Sequence, residues 1–193
     1  MSGFKIRTFR TLTSILLCLV TVISITSCGY KPGTVKDGVY TNKTFGFTVS
    51  PVTDLTVRDN PEEAADYIIA LSYSYLQGEK DSFKAEYAME NIQAGLMVAS
   101  EDNPGDYTVN SFVENLEAQQ KEKVFFTYRT IVDKDVIING VTFRQLTWDS
   151  DGNHQTFLIK FHEDKILFVY ISTTSNAVKD GVEDALINSI NSI

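Results

Sequence analysis

Residues 124–173 read VFFTYRTIVDKDVIINGVTFRQLTWDSDGNHQTFLIKFHEDKILFVYIST. Two dipeptides divide this stretch. Asn139-Gly140 is the favoured pair for a type I′ hairpin turn, because both central positions of that turn need positive φ. Asp151-Gly152 supplies a second pair of the same kind. Between them the side chains alternate with period two. Residues 124–132 are rich in aromatic and β-branched side chains, and residues 141–148 alternate. Residues 155–162 set Phe157, Ile159 and Phe161 on one face. Residues 166–173 are apolar on both faces, which predicts a central strand. The whole stretch predicts an antiparallel meander.

Working outward, Asn60-Pro61-Glu62-Glu63 is a helix start: an N-cap, a proline at the first helical position and acids in the first turn. The helix is predicted to run to about Leu76 and stop near Gly78. Its end is open, since Ser72-Tyr73-Ser74-Tyr75 also alternates as a strand would. Residues 38–50, with Tyr40, Phe45, Phe47 and Val49, predict one or two short strands. Residues 83–89 and 94–100 predict two more. Residues 101–106 are a loop signal. A helix follows from about Ser111, where Ser111 and Glu114 match a capping box and Phe112, Val113 and Leu116 mark the apolar side. The last predicted helix starts near Ala177. Its stripe is Val178, Val182, Leu186, Ile190 and Ile193. Gly181 inside it costs about 1 kcal/mol relative to Ala. The sum is α+β, with a central antiparallel sheet covered by helices.

The element order, the aromatic strand opening NKTFGF (42–47), the loop-then-helix stretch DYTVNSFVENLEAQ (106–119) and the closing strand plus helix resemble the PsbP/Mog1-like fold, an α/β/α sandwich. The resemblance covers roughly residues 38–193. It implies a fold, and a setting like that of small Gram-positive lipoproteins with such domains. It implies no catalytic residue. Pro51-Val52-Thr53-Asp54 stands where a Pro-x-Gly-Trp continuation is common.

The N-terminus carries an address. Lys5, Arg7 and Arg10 precede an uncharged run of about 14 residues, too short to span a hydrocarbon core of about 30 Å comfortably. Ile25-Thr26-Ser27-Cys28 follows and resembles the lipobox of bacterial lipoproteins. That resemblance implies that signal peptidase recognises Ile25, Thr26 and Ser27, that Cys28 receives a diacylglycerol, and that residues 1–27 are removed. Acyl chains, palmitate among them, then hold the protein at the membrane. Residues 28–37 read as a tether of about 30 Å at full extension, and 38–193 as one α+β domain. Cleavage removes three basic residues and no acidic one, which takes the net charge from −8 to about −11. Such a chain is repelled by nucleic acid. Cys18 leaves with the signal and Cys28 is acylated, so no thiol remains for a disulfide or a metal.

Few residues suggest chemistry. His154 and His162, with Asp149 and Asp151, read either as a metal site or as ordinary exposed residues near a turn. Asp149-Ser150-Asp151-Gly152-Asn153 opens like a calcium loop, but its glycine is fourth rather than sixth and no Glu stands twelfth. A hairpin turn explains all five residues. His162-Glu163 lacks the second His of a zinc-protease motif, and no P-loop, G-x-G-x-x-G or G-x-S-x-G is present. Glu62 and Glu63 read as capping acids. Tyr67, Tyr73, Tyr75 and Trp148 are a candidate binding surface, because each offers a large rigid face with a polar edge. Half-buried packing is the simpler reading of all four.

These readings point to a lipid-anchored lipoprotein on the extracytoplasmic face of a bacterial cell membrane. It acts as a binding module, with an envelope protein as partner, no cofactor, no metal and no catalysis. A small-molecule or cation-binding lipoprotein is the alternative, and an apolar pocket with a few convergent polar groups would favour it. An envelope hydrolase is the third reading. It requires a His or a carboxylate pair with a shifted pKa in a cleft.

Overall fold

The two predicted turns form as the sequence requires. Asn139 and Gly140 have φ of 45° and 86°, and Asp151 and Gly152 have 53° and 84°. The Asp149 Oδ1 accepts the Gly152 amide at 2.8 Å and closes the second turn. The computed structural model describes residues 30–70, 82–103, 107–123 and 128–193. The chain divides into two units, Met1–Lys31 and Pro32–Ile193, and the architecture below belongs to the second.

The elements are β1 (Thr34–Lys36), β2 (Val39–Asn42), β3 (Phe47–Val49), β4 (Thr56–Val57), α1 (Pro61–Ala70), β5 (Lys84–Glu90), β6 (Ala94–Asp102), α2 (Val109–Lys123), β7 (Arg129–Ile138), β8 (Val141–Ser150), β9 (Asn153–His162), β10 (Lys165–Thr173), α3 (Ser175–Lys179), α4 (Val182–Asn188) and β11 (Ile190–Ser192). Seven strands form one antiparallel sheet in the order β4-β5-β6-β10-β9-β8-β7. The meander is its second half. β10 lies in the middle and is buried on both faces, as its apolar run predicts.

The sheet's faces follow from the period of two. Phe157, Phe168, Tyr170, Leu146, Trp148 and Met97 point to one face, where the core is closed by Ala65, Ile68 and Ile69 of α1 and Phe112, Val113 and Leu116 of α2. A Cβ at Gly95 would come within 2.5 Å of the Ile68 Cγ1, so glycine lets α1 lie this close. A smaller antiparallel sheet, β1-β2-β3-β11, packs on the other face. Tyr40 meets Tyr87 at 5.6 Å, and Phe47 meets Phe143 at 5.6 Å. The α+β class and the antiparallel sheet hold. One covering layer is itself partly a sheet.

A β-bulge between Ala85 and Tyr87 ties the two sheets together. The extra residue turns Glu86 to the side of the smaller sheet. Its Oε2 accepts the Gly33 amide and the Tyr40 hydroxyl, both at 2.7 Å, and its Oε1 accepts the Ser100 hydroxyl at 2.6 Å. The disturbed ladder is repaired from the opposite side, where the Glu62 carboxylate accepts the Ala85 amide at 3.2 Å. Glu62 therefore does more than favour a helix start.

Three expectations are corrected. The tether ends early: β1 pairs with β2, so residues 32–37 belong to the domain. The second helix begins at Val109, not Ser111. Thr108 caps it, with its Oγ1 accepting the Ser111 amide at 3.2 Å and its own amide donating to the Ser111 Oγ at 2.9 Å. Ser111 thus answers Thr108 in the capping box, in place of Glu114. The final helix is not continuous either. Gly181 adopts φ of 76° and separates α3 from α4. Beyond α4 the chain becomes β11, in which Ile190 pairs with Val49 and is buried. Ile193 is 67% exposed and belongs to no stripe. The predicted continuation of α1 to Leu76 and residues 124–127 of the first meander strand lie outside the described residues.

Candidate binding cleft beside the first helix

A cleft opens at the head of α1. Asn60 caps this helix, its Oδ1 accepting the Glu63 amide at 3.5 Å. The capped end sits against the β5–β6 hairpin, whose loop is held by Asn91. The Asn91 Oδ1 accepts the amides of Gln93 and Ala94 at 2.8 and 2.9 Å, and its Nδ2 donates to the Asp54 carbonyl at 3.2 Å. Clamped in this way, the loop presents Ile92 to solvent at 81% exposure. Between loop and helix lies a cleft of about 600 Å³ lined by Arg58, Glu63, Tyr67, Glu90 and Ile92, among others.

Glu90 is the distinctive group. It is opposite Gly95 in the β5–β6 ladder, on the face covered by α1. Its side chain is 7% exposed. The Arg58 Nε and Nη2 both donate to the Glu90 Oε1, at 2.9 and 2.7 Å. The Oε2 is buried and accepts no hydrogen bond among the described residues. A carboxylate taken out of water needs its lone pairs satisfied, and an unsatisfied one is costly. Asp59, Glu63 and Glu90 face one cation, Arg58, in this lining. Tyr67, 40% exposed, and Ile92 add apolar surface. The cleft thus combines an excess of acidic groups with apolar surface. Among the described residues its lining holds no Ser, Cys or His.

A second, smaller cleft of about 240 Å³ lies between α2 and the sheet. Glu101 stands in it, and burial pushes its carboxyl up to about 7, helped by the neighbouring Asp102 charge.

The solution structure of cyanobacterial PsbP (CyanoP) from Synechocystis sp. PCC 6803 aligns with the chain at a TM-score of 0.51 and 11% identity, covering 86% of this chain and 96% of that one. The fold is PsbP-like. The crystal structure of PA94 from Pseudomonas aeruginosa aligns at a TM-score of 0.35 and 12% identity, over 81% of this chain and 91% of that one. No family model and no curated protein matches the chain.

The PsbP-like domain treats the sequence candidates unequally. Tyr67 lines the α1 cleft. Tyr73, Tyr75, Cys28 and the Ile25-Thr26-Ser27 stretch lie outside the described residues. Trp148 offers no surface: it is 0% exposed and wedged between Tyr128 and Phe157 at 5.7 and 5.4 Å. The alternation of β8 turns it inward, although a turn follows closely in sequence. His154 is not an exposed bystander. Its Nδ1 lies 2.6 Å from the Glu183 Oε2, and the Thr156 hydroxyl donates to the other oxygen of Glu183 at 2.7 Å. This set fastens α4 to β9. His162 is exposed and meets the edge of Phe45 at 5.8 Å. Neither histidine lines either cleft, and no group of three or more potential ligands forms a metal site among the described residues. Arg58, Glu90 and Ile92 were not singled out by the sequence. The only local signal was a glutamate directly after Tyr87, Ala88 and Met89 at the end of β5.

Proposed function

We propose that this protein is a lipid-anchored extracytoplasmic lipoprotein that works by binding, and that the α1 cleft receives a basic side chain of an envelope protein. The buried Glu90 Oε2 at the floor of an acidic, tyrosine-lipped cleft carries this reading. A Lys or Arg side chain matches it in both parts. Its stem covers Tyr67 and Ile92, and its head donates to Glu90 and Glu63. The acidic balance of the chain adds long-range attraction for a basic partner.

The test is a photoreactive residue at position 67 in cells. A discrete adduct with an envelope protein is expected, and Glu63→Lys should reduce it at least tenfold. No adduct, or one indifferent to Glu63→Lys, removes the reading.

The anchor part rests on the Ile25-Thr26-Ser27-Cys28 lipobox. Cys28→Ala is expected to abolish incorporation of labelled palmitate and to leave uncleaved precursor. Labelling that survives in the variant rules out Cys28 as the acylated residue. With the domain starting at Pro32, residues 28–31 leave a leash of about 14 Å at most. The domain would therefore work close to the bilayer, within reach of partners embedded in it.

A further inference from the structure

We propose that the cleft between α2 and the seven-stranded sheet is a second binding site, for a small amine with an aromatic or compact apolar body. The inference is independent of the α1 cleft. The floor is core: Phe157, Phe168 and Phe112 are 1%, 2% and 4% exposed, yet all three line an open space of about 240 Å³. That is below the roughly 300–1,000 Å³ of sites for drug-sized ligands. It holds about eight waters at about 30 Å³ each, room for one ring and a short arm. Phe112 and Phe168 each meet another ring edge-on, with Tyr107 and Phe83, so the walls are pinned.

The lining holds two acceptors, Gln119 and Glu101, for which the described residues supply no donor. The Gln119 Oε1 is buried and has no partner among the described residues. Glu101 lies on the same face as Ala99 and Phe168, by the register of β6 with β10. No hydrogen bond to it is found among the described residues. The described lining contains Glu101 and Asp102 and no Lys, Arg or His. The Tyr107 hydroxyl already accepts from the Asn115 Nδ2 at 3.3 Å. Asp102 is paired with the Lys165 ammonium; what Glu101 and Gln119 lack among the described residues is a donor with positive charge. An ammonium group supplies several N–H donors, and aromatic faces favour a cation as well. Glu101, held near neutrality by burial, would ionise on meeting that charge.

The probe is 2-phenylethylamine, titrated calorimetrically into the purified full chain at pH 7, with 2-phenylethanol and phenylacetate as comparisons. The amine is expected to saturate one site. The alcohol should bind at least tenfold more weakly and phenylacetate not at all. Repeating the titration in buffers of different ionisation enthalpy should show about half a proton released per amine, since a carboxyl with a pKa near 7 is about half protonated at that pH. Glu101→Gln keeps the shape and should cost the amine at least tenfold while leaving the alcohol unchanged. Should that variant fail to fold, Gln119→Leu must weaken the amine by itself. Glu63→Lys, in the other cleft, should leave amine binding as in wild type, so the two readings fail separately. Equal binding of amine and alcohol, preference for phenylacetate, or no saturable binding of any probe overturns the proposal.

Discussion

Trp148→Ala is expected to lower the stability of the protein by about 3–5 kcal/mol, the range for deleting a large aromatic from a well-packed core. The ring is 0% exposed. It packs edge-on against Phe157, which in turn meets Phe168 at 5.9 Å and Tyr170 at 4.8 Å. Alanine leaves a void within this chain of rings, between Tyr128 and Phe157. The neighbours sit on hydrogen-bonded strands β9 and β10 and cannot collapse into it. Domains of this size hold about 5–15 kcal/mol in total, so the loss is a large share. Urea unfolding followed by circular dichroism measures it. The variant has no tryptophan left to report by fluorescence, since Trp148 is the only one. A loss below about 1 kcal/mol would mean that the indole is not packed as described.

Glu86→Ala is expected to cost about 2–4 kcal/mol: hydrogen bonds to a charged group contribute about 1.5–3 kcal/mol each and three donors lose their acceptor together, but Glu86 is only half-buried and water offsets part of the loss. Glu86 receives the Gly33 amide, the Tyr40 hydroxyl and the Ser100 hydroxyl. The Tyr40 ring is fully buried between the sheets, so water cannot easily replace the carboxylate there. Global unfolding gives one measure. Amide exchange gives a sharper one: Gly33 and the β1–β2 pairs should exchange far faster while β9–β10 amides change only with global stability. Glu86→Gln, which keeps the shape without the charge, should fall between wild type and alanine. Unchanged exchange at Gly33 would remove Glu86 from its bridging role.

The meander was legible because its signals are local. Asn139-Gly140 and Asp151-Gly152 specify their own turns, and strands of period two follow from neighbouring residues. The clefts were not legible because their residues meet across the chain. Arg58 and Glu90 are 32 positions apart, and nothing in either neighbourhood announces the other. Trp148 shows the opposite error. Its large rigid face suggested a binding surface, whereas the alternation of Leu146 and Trp148 already placed both on the inward face. At the C-terminal end the four-residue spacing of Val178, Val182 and Leu186 imitated one helix. The left-handed Gly181 broke it, and pairing with β3 drew Ile190 into a strand. Tyr67, one of the candidate aromatics, is 40% exposed on α1 and lines the cleft. The carboxylate behind it depends on a ladder partner without a side chain, Gly95.

The partnership of β11 with β3 also bears on the order in which the protein is assembled. The Thr48 hydroxyl reaches the Asn191 carbonyl at 3.4 Å across a separation of 143 residues. A chain that emerges from its N-terminus outward makes β1, β2 and β3 early. It must then hold the free edge of β3 open until nearly everything else has arrived. Strand edges left waiting are where growing chains find wrong neighbours. Phe47 and Val49 are the apolar residues on that waiting strand, and both are buried in the finished fold. The small sheet is therefore the last part of the domain to become insensitive to its surroundings, although its first strands are among the earliest made.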